Sequence, residues 1–145
     1  MTDGGYQRRR GAQRIFNRVE KALGPGEQLR AAVWGHRYVP GLQLLLLFGA
    51  LGDTLYVLIA RPYFFALTDQ KFTLLNGSRF GFVSKPKDAV YTVPANQVRL
   101  ELGRKFIVRK LATIREVGGE ETKVAVHRQF WGELDHMAVL LGSGN

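Results

Sequence analysis

The chain has 145 residues, 46% hydrophobic and 23% charged, a globular balance that excludes disordered and fibrous classes and suits one domain with a sizeable core. It contains no cysteine, which excludes disulfides and thiolate-held zinc or iron–sulfur centres. Lysine and arginine (21) outnumber aspartate and glutamate (12), and the resulting +9 at pH 7 favours polyanions: nucleic acid, anionic lipid or acidic protein.

Residues 5–23 follow the helical period. Ala12, Ile15, Phe16, Val19 and Leu23 form one narrow apolar stripe, while Arg8, Arg9, Arg10, Arg14, Arg18 and Lys21 fill the other face. Gly24-Pro25-Gly26 ends this helix, so residues 1–25 read as a basic amphipathic element. Either its stripe packs on the domain, or it lies on an anionic membrane with Arg8, Arg9, Arg10 and Arg14 against the headgroups. No apolar stretch follows the arginines, so they do not begin a secretory or twin-arginine leader.

Leu29–Gly35 alternates as a strand, and Tyr38-Val39-Pro40-Gly41 is a turn. The apolar run Leu42–Ala60 follows. Tyr63–Leu67 and Phe72–Leu75 read as strands joined at Thr68-Asp69-Gln70, with a hairpin signal at Asn76-Gly77. Gly77–Lys87 is expected to be a basic loop carrying Phe80 and Phe82, before a strand at Ala89–Val93. Further strands are expected at Val98–Leu102, at Phe106–Arg109 after a turn at Gly103-Arg104-Lys105, at Leu111–Val117 and at Lys123–His127. Gln129–Leu141 closes the chain as a helix with Phe130, Leu134, Met137 and Leu141 on one face. About seven short strands between two helices argue a mainly β fold, a small barrel or sandwich.

With the strands laid out, Ala66-Leu67-Thr68-Asp69-Gln70-Lys71, the lysine-rich loop, Val90-Tyr91-Thr92-Val93-Pro94 and the closing helix resemble the bacterial pleckstrin-homology-like (PH-like) domains. Val33-Trp34-Gly35 and Val126–Trp131 add to the likeness, which covers Glu27 to Leu141. The resemblance implies an α+β, mainly β, bent barrel of about seven strands over residues 26–142, capped by the C-terminal helix, with an apolar insertion at 41–60. It carries over no binding residues. The first hairpin loop, which holds phosphoinositides in eukaryotic relatives, is here filled by the apolar run.

That run is about twenty residues, the length of a spanning helix. Asp53 would then sit near mid-bilayer at about 2.5–3.5 kcal/mol, and positive charge flanks both ends, with Arg30 and Arg37 before and Arg61, Lys71 and Arg79 after. A single crossing would also split the barrel. Two readings remain: a short helix Leu42–Leu51 ending at Gly52 with an extended Thr54–Ala60, or a helical hairpin turning at Gly49–Asp53 and dipping into lipid. Membrane contact is expected through Leu42, Leu44, Leu45, Leu46, Leu47, Phe48 and Leu51; the alternative is an oligomer interface.

Catalytic signatures are missing from the sequence. His36, His127 and His136 lack ligand spacing, no serine sits in a nucleophile elbow, and no phosphate loop occurs. The expectation is a non-enzymatic protein with no cofactor or metal. Two basic clusters are candidate anion ligands: Arg79, Lys85 and Lys87 in the loop, and Arg104, Lys105 and Arg109 in the later hairpin. The expected role is a binding module at the cytoplasmic side of the cell membrane, contacting anionic lipids or a protein partner. The alternatives are a soluble cytoplasmic oligomer and a nucleic-acid binder, the latter without any recognised fold motif.

Overall fold

The computed structural model describes residues 7–23, 26, 28–39, 41–78, 86–106, 108–116, 119 and 121–142. Helix α1 (Arg10–Leu23) leads to strand β1 (Leu29–Arg37), a 3-10 segment (Leu42–Phe48) and helix α2 (Ala50–Ile59). Strands β2 (Pro62–Thr68), β3 (Lys71–Gly77), β4 (Pro86–Pro94), β5 (Val98–Phe106), β6 (Arg109–Glu116) and β7 (Glu121–His127) precede helix α3 (Trp131–Leu140).

The strands form one antiparallel seven-stranded sheet in the order β4-β3-β2-β1-β7-β6-β5. Strands β4 and β5 stand at opposite ends of that order, yet only a short 3-10 turn, Ala95–Gln97, joins them. A flat sheet would hold its outer strands roughly 29 Å apart. Pro94 to Val98 can span at most about 14 Å. The sheet must therefore bend round until its ends meet at this corner.

Inside the bend, Val33, Phe65, Phe72, Leu74, Leu100, Ile114, Val124 and Val126 form the core. Leu134, Met137 and Ala138 of α3 join it, as does the α1 stripe of Ala12, Ile15 and Val19. The amphipathic helix thus packs its stripe on the domain. Each large buried side chain contributes roughly 1.5–3 kcal/mol. Between β2 and β3, Thr68 Oγ1 accepts from the Lys71 N–H at 3.0 Å, a local side-chain bond that holds the turn.

Strand β1 is paired along most of its length with β2, but with β7 only at His36↔Ala125 and Arg37↔Val124. Its other backbone groups on that side need partners. The Ala32 N–H donates to Glu133 Oε2 of α3 at 3.0 Å, and the Arg30 carbonyl accepts from Arg8 Nη2 at 2.6 Å. Arg8 Nε lies 2.9 Å from each oxygen of the buried Glu133 carboxylate, and its guanidinium covers the Phe16 ring at 4.0 Å. A buried carboxylate and its arginine therefore complete the strand edge and fasten α1 to α3.

Several sequence expectations need correction. Residues 103–105 do not turn; β5 runs through them with a register shift between Leu102 and Lys105, and the expected strand Phe106–Arg109 is instead the hairpin end, β5 stopping at Phe106 and β6 starting at Arg109. A Cβ on Gly103 would lie 3.2 Å from Leu111 Cβ, so the glycine serves close approach at an irregularity. Thr54–Ile59 is not extended but belongs to α2, which buries Gly52 and Tyr56 and ends at an extended Ala60. The closing helix is α3 at 131–140, preceded by a 3-10 turn at Arg128–Phe130, and β4 begins earlier than expected, at Pro86. Phe80, Phe82 and the expected loop around them lie outside the described residues.

Replacing Arg8 by Met should strand the Glu133 charge in the interior. We expect a loss of about 3 kcal/mol in urea unfolding, with the helical and β spectra of the folded protein retained.

Candidate functional site

The apolar run forms two short helices that fold back on one another. Gly49, at φ 71°, links the 3-10 segment to α2, and a Cβ on Gly52 would overlap the Leu45 carbonyl. Glycine at 52 is therefore what lets the helices touch, rather than a helix stop. The roots of the excursion lie side by side, since the Arg37 N–H donates to the Arg61 carbonyl at 2.8 Å. No helix among the described residues is long and apolar enough to cross a membrane.

The hairpin sits on the outer side of the sheet. Val124 and Val126 point into the core, so Ala125 points out and meets Leu46, Tyr56 and Ala60 in a separate small cluster. His36 is in register with Ala125, and Arg109 with His127. Into this patch α2 sends Asp53, whose Oδ1 accepts from Arg109 Nε at 2.9 Å. Arg109 Nη1 also donates to the Ala125 carbonyl at 3.3 Å and approaches His36 Nδ1 at 3.2 Å. An arginine is always charged and only donates, so His36 Nδ1 must accept and its proton resides on Nε2. The Tyr56 hydroxyl donates to the Arg37 carbonyl at 3.1 Å, while Arg109 stands 5.3 Å from the Tyr56 ring.

Burial foremost, then the neighbouring Arg109 charge, lowers the His36 pKa from 6.5 to about 3, with Asp53 opposing. His127 is lowered by the same two causes, and burial raises the Tyr56 phenol. Within the pair itself the Arg109 and Asp53 charges cancel.

The opposite side of the hairpin is bare. Leu47 is 65% exposed, Phe48 73%, Leu51 68% and Leu58 67%, with Leu44 and Ile59 also exposed. Arg37 and Arg61 are exposed at the two roots, and Arg104 and Lys110 line a small cavity beneath Leu46 and Tyr56. An apolar tip thus rises from a collar of cations.

The residues singled out from sequence distribute unevenly over this site. Leu44, Leu47, Phe48 and Leu51 share the exposed tip; Leu45 is half-buried, and Leu46 is turned into the cluster below. The Leu42 side chain, Arg79 and Lys85 lie outside the described residues. Arg104 belongs to the collar, Lys105 lies over the Trp131 ring at 4.8 Å, and Lys87 is exposed on β4. Arg109, read as a surface cation, is instead 4% exposed, because Asp53 and a backbone carbonyl hold it inside. Arg9, Arg10 and Arg14 are exposed on α1, whereas Arg8 is committed to Glu133. Sequence reasoning missed the Asp53–Arg109 pair, although a lone acid within an apolar run signals a buried cation somewhere in the fold. Among the described residues no group of three or more potential ligands could hold a metal ion.

In the unfolded chain His36 takes up a proton near 6.5, but in the fold only near 3. Between these values the unfolded state holds more protons, so stability present above pH 6.5 falls as pH drops through the window. We expect His36→Asn to reduce this slope by up to about 1.4 kcal/mol per pH unit in urea titrations at several pH values. Gly52→Ala should separate the two short helices from each other, read as faster amide exchange at 44–59 with the sheet unchanged.

No protein-family model matches the chain, and neither a curated protein nor a solved structure matches it.

Proposed function

We propose that this chain is a non-enzymatic, PH-like binding module that docks on an anionic membrane surface by inserting the tip of its helical hairpin. The observation that carries this reading is the combination at one place of exposed Leu47, Phe48, Leu51 and Leu58 with the cations Arg37, Arg61 and Arg104. Stable anchoring takes two weak signals, one apolar and one electrostatic. Each large side chain entering lipid contributes roughly 1–2 kcal/mol, and each cation near an anionic leaflet about 1 kcal/mol. Asp53 does not oppose insertion, because Arg109 already neutralises it on the inward side of α2.

The PH-like part of the proposal is supported by the strand order, the bend at Ala95–Gln97 and the helix that packs on β1. Anionic phospholipid is the charge complement of a +9 chain, and the cytoplasmic leaflet is where it is concentrated. The exposed Arg9, Arg10 and Arg14 of α1 would add long-range attraction.

Flotation with phosphatidylglycerol-containing vesicles tests this. Wild type should float, and less so as salt rises. The double substitution Leu47→Glu/Phe48→Glu should weaken binding at least about 100-fold while leaving the fold intact, since both side chains are exposed. A wild-type chain that stays at the bottom of the gradient, and forms a defined dimer by light scattering without detergent, would assign the apolar tip to a second copy instead.

A further inference from the structure

Arg109 has one nitrogen to spare. Its Nε serves Asp53, and Nη1 serves the Ala125 carbonyl and faces His36. Its Nη2, with two N–H groups, makes no hydrogen bond among the described residues and is not fully enclosed. Arg109 lines a cavity of about 20 Å³ together with Arg104, Lys110, Leu46, Tyr56 and Leu111. That volume admits a single oxygen atom with its hydrogens, or one terminal oxygen of a larger group standing at the mouth.

Charge decides between the two. Of the three cations, Arg109 is matched by Asp53 and Lys110 by Asp135 at 3.5 Å. Arg104, exposed at the mouth, has no ion-pair partner among the described residues. The notch therefore carries one uncompensated positive charge. Its lining includes Tyr38 and Tyr56 beside Leu46, Leu111 and Ala125, and a neutral water bound there would leave the Arg104 charge uncompensated. An oxyanion would satisfy Arg109 and Arg104 together through charge-assisted bonds. The irregularity between Leu102 and Lys105 is what brings Arg104 to the same opening.

We infer that this notch, between the hairpin and strands β5 and β6, binds one oxygen of a singly charged phosphate ester. Its site is distinct from the apolar tip. That the ester belongs to a lipid headgroup rests on the membrane docking proposed above. The tip in lipid would bring the notch to the depth at which phosphodiesters lie.

Dimethyl phosphate, a soluble monoanionic diester, is the probe for the notch itself. Titrated into the full chain at constant ionic strength, it should shift the Arg104 and Arg109 Nε–H resonances saturably. Arg104→Gln should weaken this about tenfold. Arg109 also clamps the hairpin and its loss can unfold the chain, so Arg104, exposed and unpaired, is the informative position. Shifts that stay linear, or that saturate equally in Arg104→Gln, overturn the inference.

Vesicles separate the source of the ester. Arg104→Gln should weaken binding to phosphatidylglycerol vesicles about fivefold. Leu47→Glu/Phe48→Glu should abolish vesicle binding yet leave the dimethyl phosphate titration unchanged. A saturable titration with no vesicle binding by wild type upholds the notch and overturns membrane docking. Vesicle binding without a saturable titration does the reverse.

Discussion

Strand β1 is the member on which the rest of the structure depends, because it is left half unpaired. Every other neighbouring pair in the sheet is zipped along most of its length, but β1 meets β7 only through its last two residues. Antiparallel strands that part company expose a row of backbone donors and acceptors, and a core cannot hold these without partners. Glu133 of α3 and Arg8, just ahead of α1, supply them, and the N-terminal and C-terminal helices both lie against the same strand. The carboxylate is buried, and its ionic partner is what makes that tolerable. Where β1 finally meets β7, the opposite problem arises. The outer face there presents His36, Ala125 and Arg109, and the hairpin covers them.

Two arginine–carboxylate pairs, one on each side of this strand, thus organise the molecule. They work differently. Arg8 with Glu133 completes a sheet edge and joins the terminal helices, so its loss acts on the whole fold. Arg109 with Asp53 joins an insertion to the outer face of the sheet, with Tyr56 as a second fixing point on the Arg37 carbonyl. His36 beside Arg109 is kept neutral by burial first and by the neighbouring arginine charge second.

The strand pattern was legible from alternation at β1, β2, β3 and the first half of β5, and α1 from its apolar stripe, because local side-chain periodicity determines which face is buried. The seven-stranded count held for the same reason. The β5 boundary was misjudged at Gly103-Arg104-Lys105, where a glycine needed for contact with Leu111 looks identical to a glycine needed for a turn. The apolar run was legible as a problem but not in its solution. Its composition showed that something must cover it, and its anchored ends that it could not be a single crossing. Its helical hairpin form depends on Leu45 and Gly52 touching, and its orientation on Arg109, which is 56 positions away from Asp53. Such long-range pairings leave no periodic trace. For Arg109 the basic context suggested a surface ligand, and only the register of β6 against β7 reveals that its side chain lies under the hairpin.

The manner in which the hairpin is moored has a mechanical consequence. Its roots are tied to each other, its midpoint to Arg109 and its tyrosine to the end of β1. It has no slack at any of these points. A flexible leash would let the body swivel above whatever held the leash. A prong bolted in three places does not. Any surface that grips Leu47 and Phe48 also sets the azimuth and tilt of the barrel. The remaining faces, including the free margins of β4 and β5, would then meet other molecules from one fixed direction.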